Sequence, residues 1–302
     1  MRIRGFRSLS LALGALLALG AAPPPKKAAP GSKLPKVVLK ELVDDRYGGG
    51  ENESGLVLVL KLEGEGTDAY PAGRALVKEA RDDSGRSLLP EKPKTPPYSD
   101  LGYGGLRVDL VAPPRSARSV NVSGTVELFA PKNDPAAVVK VPNALAKLDV
   151  PLASPGLSAA KIEVTPLSKA RYAEELKKQR SPEAAARKRE WLKADGMADD
   201  EISALLELSD EDGEAAASGP SRHLVVLLTR REDFERIQEV HLIGRDGQKL
   251  LGDEATDSDG IHVTRCWELE SEPAPETTIV FTLYTEKARL AVPFALKGLA
   301  LP

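Results

Sequence analysis

Two similar stretches, one near the middle of the chain and one at its end, constrain the fold more than any other sequence feature. Residues 139–151 read VKVPNALAKLDVP, and residues 290–302 read LAVPFALKGLALP. Aligned without a gap, both contain Val-Pro-x-Ala-Leu, then a second leucine and a final proline. A repeat of this kind changes the number of domains expected in a chain. We therefore expect two copies of one domain, each ending in one of these stretches.

Two further pairs of segments support the repeat, in the same order along the chain. Residues 80–89 and residues 244–251 both carry an acidic, glycine-containing turn followed by two leucines. Residues 118–129, in which aliphatic and polar residues alternate, resemble residues 277–284. A chain of 302 residues has room for two domains of ordinary size. The repeat is therefore interpreted as a duplication of a whole domain.

Apolar residues at every second position predict strands in both copies. Leucine occupies alternate positions over 56–62, and apolar residues alternate with polar ones over 120–128. A period of two is typical of a strand with one buried face. Many short strands separated by turns favour an antiparallel sandwich. We predict a mainly β chain with two tandem antiparallel β-sandwich domains, at residues 36–152 and 156–302.

The N-terminus has the pattern of an export signal. Three arginines among the first seven residues precede a short apolar run over 9–19, and small residues follow it. This pattern predicts a cleaved signal peptide over residues 1–21 and a secreted or periplasmic protein. The run is shorter than the roughly 20 apolar residues of a membrane helix, so we expect no stable membrane span after cleavage. Residues 22–35, rich in Pro, Ala and Lys, predict an extended linker.

Charge and cysteine content exclude two classes of protein. The chain has 42 basic and 45 acidic residues, and three of the basic ones lie in the predicted signal peptide. A nucleic-acid-binding protein would show a basic surplus, so we expect no nucleic-acid partner. Cys266 is the single cysteine, so no intrachain disulfide can form. Each domain must therefore be held by its own apolar core.

Residues 169–217 interrupt the second copy with a different composition, rich in Ala, Glu, Lys and Arg. Ser181 followed by Pro182 is typical of a helix start, and Gly196 is typical of a helix end. The alternating pattern resumes at His223. We therefore predict a helical insertion between the first and second strands of the second domain.

The insertion carries more apolar side chains than a short isolated helical hairpin can bury. They are the predicted partner-binding residues: Tyr172, Leu176, Trp191, Leu192, Ile202, Leu205 and Leu206. The parent sandwich, the other domain or a partner protein could cover them. The charges of the insertion also allow an interpretation without a partner. Residues 169–195 have a basic surplus, and residues 199–214 carry only acidic charges. That distribution is typical of a solvated hairpin whose halves attract each other.

Sequence patterns for catalysis, metal binding and nucleotide binding are weak or missing. The chain has no G-x-S-x-G motif, and its three histidines and one cysteine lack zinc-ligand spacing. Residues 252–260 resemble part of a calcium loop but lack its final glutamate, which favours a solvated acidic turn. Residues 64–69 match a loose dinucleotide pattern without a following helix, which favours a hairpin loop. We expect a non-catalytic protein without a metal or cofactor.

The strand pattern resembles tandem immunoglobulin-like or fibronectin-like β-sandwich domains of exported bacterial proteins. The resemblance covers roughly residues 36–302 outside the insertion and rests on pattern rather than on a diagnostic motif. It departs from true immunoglobulin domains, which have paired cysteines around a core tryptophan. The resemblance implies a rigid scaffold that presents loops for recognition.

These observations favour an exported, non-catalytic binding or structural protein of the cell envelope. Its expected contacts with an envelope or extracellular protein partner are the helical insertion and the loops at 48–55 and 90–105. The alternative is a secreted hydrolase or an accessory carbohydrate-binding protein with a polysaccharide ligand. Tyr98 and Tyr103, in the loop at 90–105, are the candidate ligand residues for that alternative.

Overall fold

The computed structural model confirms a mainly β chain built from antiparallel sheets. It describes residues 34–44, 55–91, 95–102, 104–194, 197–204, 206 and 223–301. Their strands are β1 Lys36–Asp44, β2 Gly55–Glu63, β3 Ala72–Asp82, β4 Ser99–Asp100, β5 Leu106–Val111, β6 Ser119–Phe129, β7 Val138–Val141, β8 Val164–Leu167, β9 His223–Arg230, β10 Ile237–Ile243, β11 Gly252–Ser258, β12 His262–Leu269, β13 Thr278–Leu283 and β14 Arg289–Ala300. Their helices are α1 Pro155–Ala160, α2 Lys169–Gln179, α3 Pro182–Ala194, α4 at 199–204 and α5 Arg231–Phe234.

Two antiparallel sheets share a first buried core. Sheet I has the strand order β1-β2-β5, and sheet II has the order β14-β6-β3-β4. Leu56, Leu58 and Leu60 of β2 are buried, as the alternation predicts, and so are Val120 and Leu128 of β6. These side chains belong to one apolar cluster, so sheets I and II bury their apolar faces against each other.

Two further antiparallel sheets share a second core. Sheet III has the order β10-β13-β7, and sheet IV has the order β11-β12-β9-β8. Val225 and Trp267 of sheet IV cluster with Leu242, Ile279 and Phe281 of sheet III. The connectivity repeats that of the first pair, since β8-β9-β12 corresponds to β1-β2-β5 and β10-β13-β7 corresponds to β3-β6-β14. The matching strand order supports the internal repeat.

The last strand of each copy pairs with a sheet of the other copy. β7 pairs with β13 in sheet III, and β14 pairs with β6 in sheet II. Val139 and Val141 of β7 lie in the second core, whereas Leu290 and Val292 of β14 lie in the first core. β7 contains the first residues of the stretch 139–151, and β14 contains most of the stretch 290–302. Each pairing therefore joins a strand before the domain boundary predicted near 152–156 to a strand after it. The domain boundaries themselves stay a prediction.

A glycine turn recurs at the end of β3 and of β10, as the sequence repeat predicts. The N–H of Gly85 donates to the carbonyl oxygen of Asp82 over 3.0 Å, and the N–H of Gly247 donates to that of Gly244 over 2.9 Å. Both turn glycines have a positive φ, 85° and 81°. Glycine adopts this left-handed backbone without the steric cost that a side chain brings. The two turns thus have the same local conformation for the same physical reason.

The helices α2, α3 and α4 lie between β8 and β9, where the sequence predicts the insertion. Ser168 caps α2, because its side chain accepts the N–H of Arg171 over 3.2 Å. Ser181 caps α3 in the same way and accepts the N–H of Ala184 over 3.2 Å. The remaining part of the predicted insertion, 207–217, lies outside the described residues.

Two local predictions were wrong. Residues 252–258 form the edge strand β11 rather than an acidic turn, and they pair with β12 along their whole length. Because both faces of β11 are exposed apart from its last residue, its sequence has no apolar alternation to reveal it. The loop at 64–71 is not a hairpin, because it joins β2 of sheet I to β3 of sheet II.

Several predicted features lie outside the described residues: the signal peptide 1–21, residues 22–33 of the linker, the loop at 48–54, residues 92–94 and Tyr103 of the loop at 90–105, the helix end at Gly196, and Leu205. Within the described part of the chain, none of the helices combines the length and apolar character needed to cross a membrane.

Candidate functional site

The helical insertion lies on the outer face of sheet IV. Tyr172 of α2 packs against a small apolar cluster that includes Leu167, Val226 and Cys266. The Cys266 thiol donates a hydrogen bond of 3.4 Å to the Tyr172 hydroxyl oxygen. Burial raises the pKa of the Tyr172 hydroxyl and of the Cys266 thiol. Both groups therefore stay neutral at physiological pH, and the thiol is no nucleophile there.

Charged side chains hold α3 against the β11–β12 hairpin. Arg187 lies 3.7 Å from a carboxylate oxygen of Asp259, and Lys188 lies 3.6 Å from one of Asp257. The guanidinium carbon of Arg231, the first residue of α5, lies 3.5 Å from the ring centroid of Trp191. Asp257 and Asp259, two of the acidic residues that suggested calcium, are thus partners of the insertion.

The predicted partner-binding residues divide into two groups. Leu192 and Ile202 are buried within the chain, with 3% and 0% of their surface exposed, so neither is available to a partner. The half-buried ones are Tyr172, Leu176, Trp191 and Leu206. Packing within the chain thus covers part of the apolar surface that suggested docking, while the partner-binding role of the insertion stays a prediction.

An apolar cleft opens where β8 ends and the insertion begins. It encloses about 500 Å³ and is lined by Leu145, Leu148, Leu167, Leu224, Val226, Pro273 and Pro275, with Lys169, His223 and Glu272 as its charged or titratable members. Leu148 is 42% exposed, which is high for a leucine in a folded chain. The volume and the mostly apolar lining fall in the range that binding sites show.

Hydrogen bonds fix the segments that surround the apolar cleft. The Asp149 carboxylate accepts the N–H of Ser168 over 2.9 Å, which joins the 145–149 segment to the start of α2. The N–H of Ala144 donates to the carbonyl oxygen of Thr277 over 2.9 Å, which joins it to the turn before β13. The cleft is therefore held open by the fold on two sides.

A second cleft, called the loop cleft, lies in the first half of the molecule, the half built on sheets I and II. The loop at 64–71 and residues 100–102 and 104–105 form most of it, and its volume is about 440 Å³. Its polar side chains are Lys40, Lys61, Thr67, Asp68, Tyr70 and Asp100, and its apolar ones are Leu62, Pro71 and Leu101. The loop cleft includes part of the predicted ligand loop at 90–105.

Tyr98 does not line the loop cleft. Its ring stacks on Tyr284 with 4.3 Å between centroids, and the guanidinium carbon of Arg74 lies 4.6 Å from its centroid. Its hydroxyl donates to the Glu127 carboxylate over 3.4 Å. Burial raises the pKa of Tyr98 to about 12. Tyr98 thus joins β4 to the segment after β13, which is a structural role.

No cluster of His, Cys, Asp or Glu in the described part of the chain has the geometry of a metal site. His262 lies 3.7 Å from Asp259, whose carboxylate also accepts the N–H groups of Ile261 and His262. These contacts close the turn between β11 and β12, so His262 has a structural role in that turn.

Sequence reasoning missed both clefts. Leu145 and Leu148 belong to a repeat stretch that was interpreted only as the end of a domain copy. Asp68 lies in the segment 64–69 that was interpreted as a hairpin loop, and Tyr70 follows it directly. Comparison with known proteins adds nothing to this geometry, since no protein-family model, no curated protein and no solved structure matches the chain.

Proposed function

We propose that this chain is an exported, non-catalytic binding protein of the cell envelope that binds an extended apolar segment of a protein partner in the apolar cleft. The observation that supports this proposal is the cleft itself, in which leucine side chains from three parts of the chain converge beside the first residues of a strand. Burying such side chains against a partner releases about 25 cal/mol for each Å² of apolar surface.

The strand register at the cleft favours an extended partner. β8 pairs with β9 only as far as Leu167, which lies opposite Val226. β9 begins at His223, so its first three residues extend beyond the end of β8. A polypeptide in extended conformation can continue the sheet from that position by strand addition. Leu148 and Leu224 would then contact its side chains.

The rest of the fold acts as the scaffold in this proposal. We interpret sheets I and II, and likewise sheets III and IV, as two β-sandwiches of the immunoglobulin-like or fibronectin-like kind. The shared cores and the repeated strand order support this interpretation. The helical insertion contributes Lys169 to the cleft, so the predicted role of the insertion and the cleft belong to one surface. Scaffolds of this kind present binding surfaces at the ends of rigid sheets.

Selection of a displayed library of short random peptides on the immobilised protein tests the proposal. We expect enriched peptides with apolar residues at alternate positions, because only one face of an added strand can enter the cleft. Binding of the enriched peptide to the Leu148→Asp variant should be at least tenfold weaker, since a carboxylate in an apolar site loses its hydration.

Leu251→Asp is the matched control, since Leu251 is also an exposed leucine, at 74%, and does not line the cleft. Equal peptide affinity for the Leu148→Asp and Leu251→Asp proteins, or a failure to enrich any apolar pattern, contradicts the proposal. Circular dichroism confirms that both variants are folded.

A further inference from the structure

The loop cleft of the first half carries equal numbers of positive and negative side chains. Lys40 and Lys61 supply ammonium groups, and Asp68 and Asp100 supply carboxylates. The Lys61 ammonium also pairs with the Glu63 carboxylate, at 2.9 Å, and has two further donors. A bound anion would meet the two carboxylates, and a bound cation would meet the two ammonium groups. A purely apolar ligand would remove all four groups from water without replacing their hydrogen bonds. The lining therefore favours a neutral ligand with many hydrogen-bonding groups.

Two of the charged groups are already positioned by the loop and keep capacity for a ligand. The Lys40 ammonium donates one hydrogen bond to the carbonyl oxygen of Gly104, at 2.8 Å, and an ammonium has three donors. One carboxylate oxygen of Asp100 accepts the N–H of Gly102 over 2.7 Å, and a carboxylate has about four acceptor positions. Both side chains are thus oriented before any ligand arrives, which lowers the entropic cost of binding.

Tyr70 and Thr67 complete the lining. Tyr70 packs against the first core and also lines the cleft, so part of its ring is held by the fold. An aromatic ring with an apolar body and a hydroxyl suits a ligand that has both C–H and O–H groups. The N–H of Tyr70 donates to the carbonyl oxygen of Thr67 over 3.1 Å, which closes a 3₁₀ turn and fixes the two residues relative to each other.

The shape of the loop cleft depends on close backbone contacts. The N–H of Leu101 donates to the carbonyl oxygen of Pro71 over 3.1 Å, which ties the two loops together. Gly105 has a φ of 117°, and a Cβ there would lie 2.5 Å from the carbonyl oxygen of Leu60. A side chain cannot be accommodated so close to backbone, so the glycine lets this loop approach β2. The cleft is therefore a built feature of the first half.

We propose that the loop cleft binds a neutral polyhydroxylated ligand, of the kind presented by a polysaccharide chain. Carboxylates of Asp68 and Asp100 accept hydrogen bonds from its hydroxyl groups, and the ammonium groups of Lys40 and Lys61 donate to its oxygens. Tyr70 contacts the C–H face of the ligand. This site is separate from the apolar cleft and shares none of its lining residues.

Isothermal titration of the full chain with neutral oligosaccharides tests this proposal. The panel contains oligomers of glucose in α and β linkage, of N-acetylglucosamine and of xylose, with inorganic phosphate and Ca²⁺ as charged comparators. We expect at least one neutral oligosaccharide to bind and neither ion to compete with it. Asp68→Asn should weaken that binding about tenfold or more, because hydrogen bonds to a charged group are the stronger ones.

Glu65→Gln is the matched control, because Glu65 lies in the same loop, is exposed and does not line the cleft. Amide NMR shifts of Tyr70, Gly102 and Gly105 on addition of the oligosaccharide give a readout that needs no variant. The proposal is overturned if no oligosaccharide binds at millimolar concentration, if the shifts occur elsewhere, or if Asp68→Asn and Glu65→Gln bind equally well. Preferential binding of phosphate or Ca²⁺ also overturns it.

Discussion

Tyr98 and Tyr284 stack on each other at 4.3 Å between ring centroids, although 186 positions separate them in the sequence. Tyr98 precedes β4 of sheet II, and Tyr284 follows β13 of sheet III. Phe129 meets the Tyr284 ring edge-on, with 4.9 Å between centroids. The three rings join the half built on sheets I and II to the half built on sheets III and IV. They lie close to β7, which pairs in sheet III, and to the start of β14, which pairs in sheet II.

The stacked pair should contribute measurable coupling to stability. We expect Tyr98→Leu and Tyr284→Leu to destabilise the protein, and their combination to cost about 1 kcal/mol less than the sum of the two. A double-mutant cycle from urea denaturation measures this term. Tyr98→Phe, which keeps the ring, should retain most of the coupling. Strict additivity of the two leucine variants would show that the contact adds nothing beyond burial.

Stability should fall at alkaline pH because of the buried tyrosines. The unfolded chain releases a tyrosine proton near pH 10, whereas burial raises the pKa of Tyr98 to about 12 in the folded protein. The stabilising effect is complete below about pH 10 and is lost as the pH rises through about 12, since the unfolded state then binds fewer protons. Urea midpoints over this range measure the loss. Tyr98→Phe should show a shallower decline, and an unchanged slope would contradict this assignment.

Replacing Gly124 by alanine should destabilise the first half. Gly124 lies in the middle of β6, and a Cβ there would sit 2.3 Å from the carbonyl oxygen of Leu76 and 3.0 Å from the ring of Phe294. The neighbouring strands must move apart, which we expect to cost about 1–3 kcal/mol. Gly55→Ala is the control, because its Cβ would meet only the carbonyl oxygen of Leu110, at 3.5 Å. Equal denaturation midpoints for the two variants would be incompatible with this reasoning.

The exchange of β7 and β14 should make the two halves unfold together. Trp191 and Trp267, the two tryptophans, lie in α3 and β12, so fluorescence reports on the second half alone. Phe294→Ala removes a ring from the first core and should cost about 3–5 kcal/mol. We expect the tryptophan transition to shift with it and to coincide with the circular dichroism transition. Separate transitions would show that the halves are independent.

The parts of the fold that sequence predicted are those in which one face of a strand is buried. Leu56, Leu58 and Leu60 alternate because sheet I has a core face and an exposed face, and the same holds for β6. The predicted serine cap of α3 is equally local, since Ser181 accepts the N–H of Ala184, three residues further on. Sequence alone predicts a local structure where a residue contacts a close neighbour in the chain, or where its side chain only needs to be buried in the core.

The exchange of strands could not be predicted, because the two exchanged segments resemble each other. Both segments have an aliphatic residue two positions before a valine that precedes a proline, Val139 in β7 and Leu290 in β14. Pattern alone therefore does not choose between pairing with β6 and pairing with β13. The clefts were hidden for a related reason. Leu148 and Leu224 are 76 positions apart in the sequence, and Asp68 and Asp100 belong to loops without periodicity. Only tertiary packing brings these residues together.

The position of β14 also limits how the chain can be divided. A fragment that ends near 152–156 keeps β6 but loses β14, and with it Leu290 and Phe294 of the first core. A fragment that begins there keeps β13 but loses β7, and with it Val139 and Val141 of the second core. Neither fragment has every strand of the two sheets that it mainly forms, so each needs the other to complete its core.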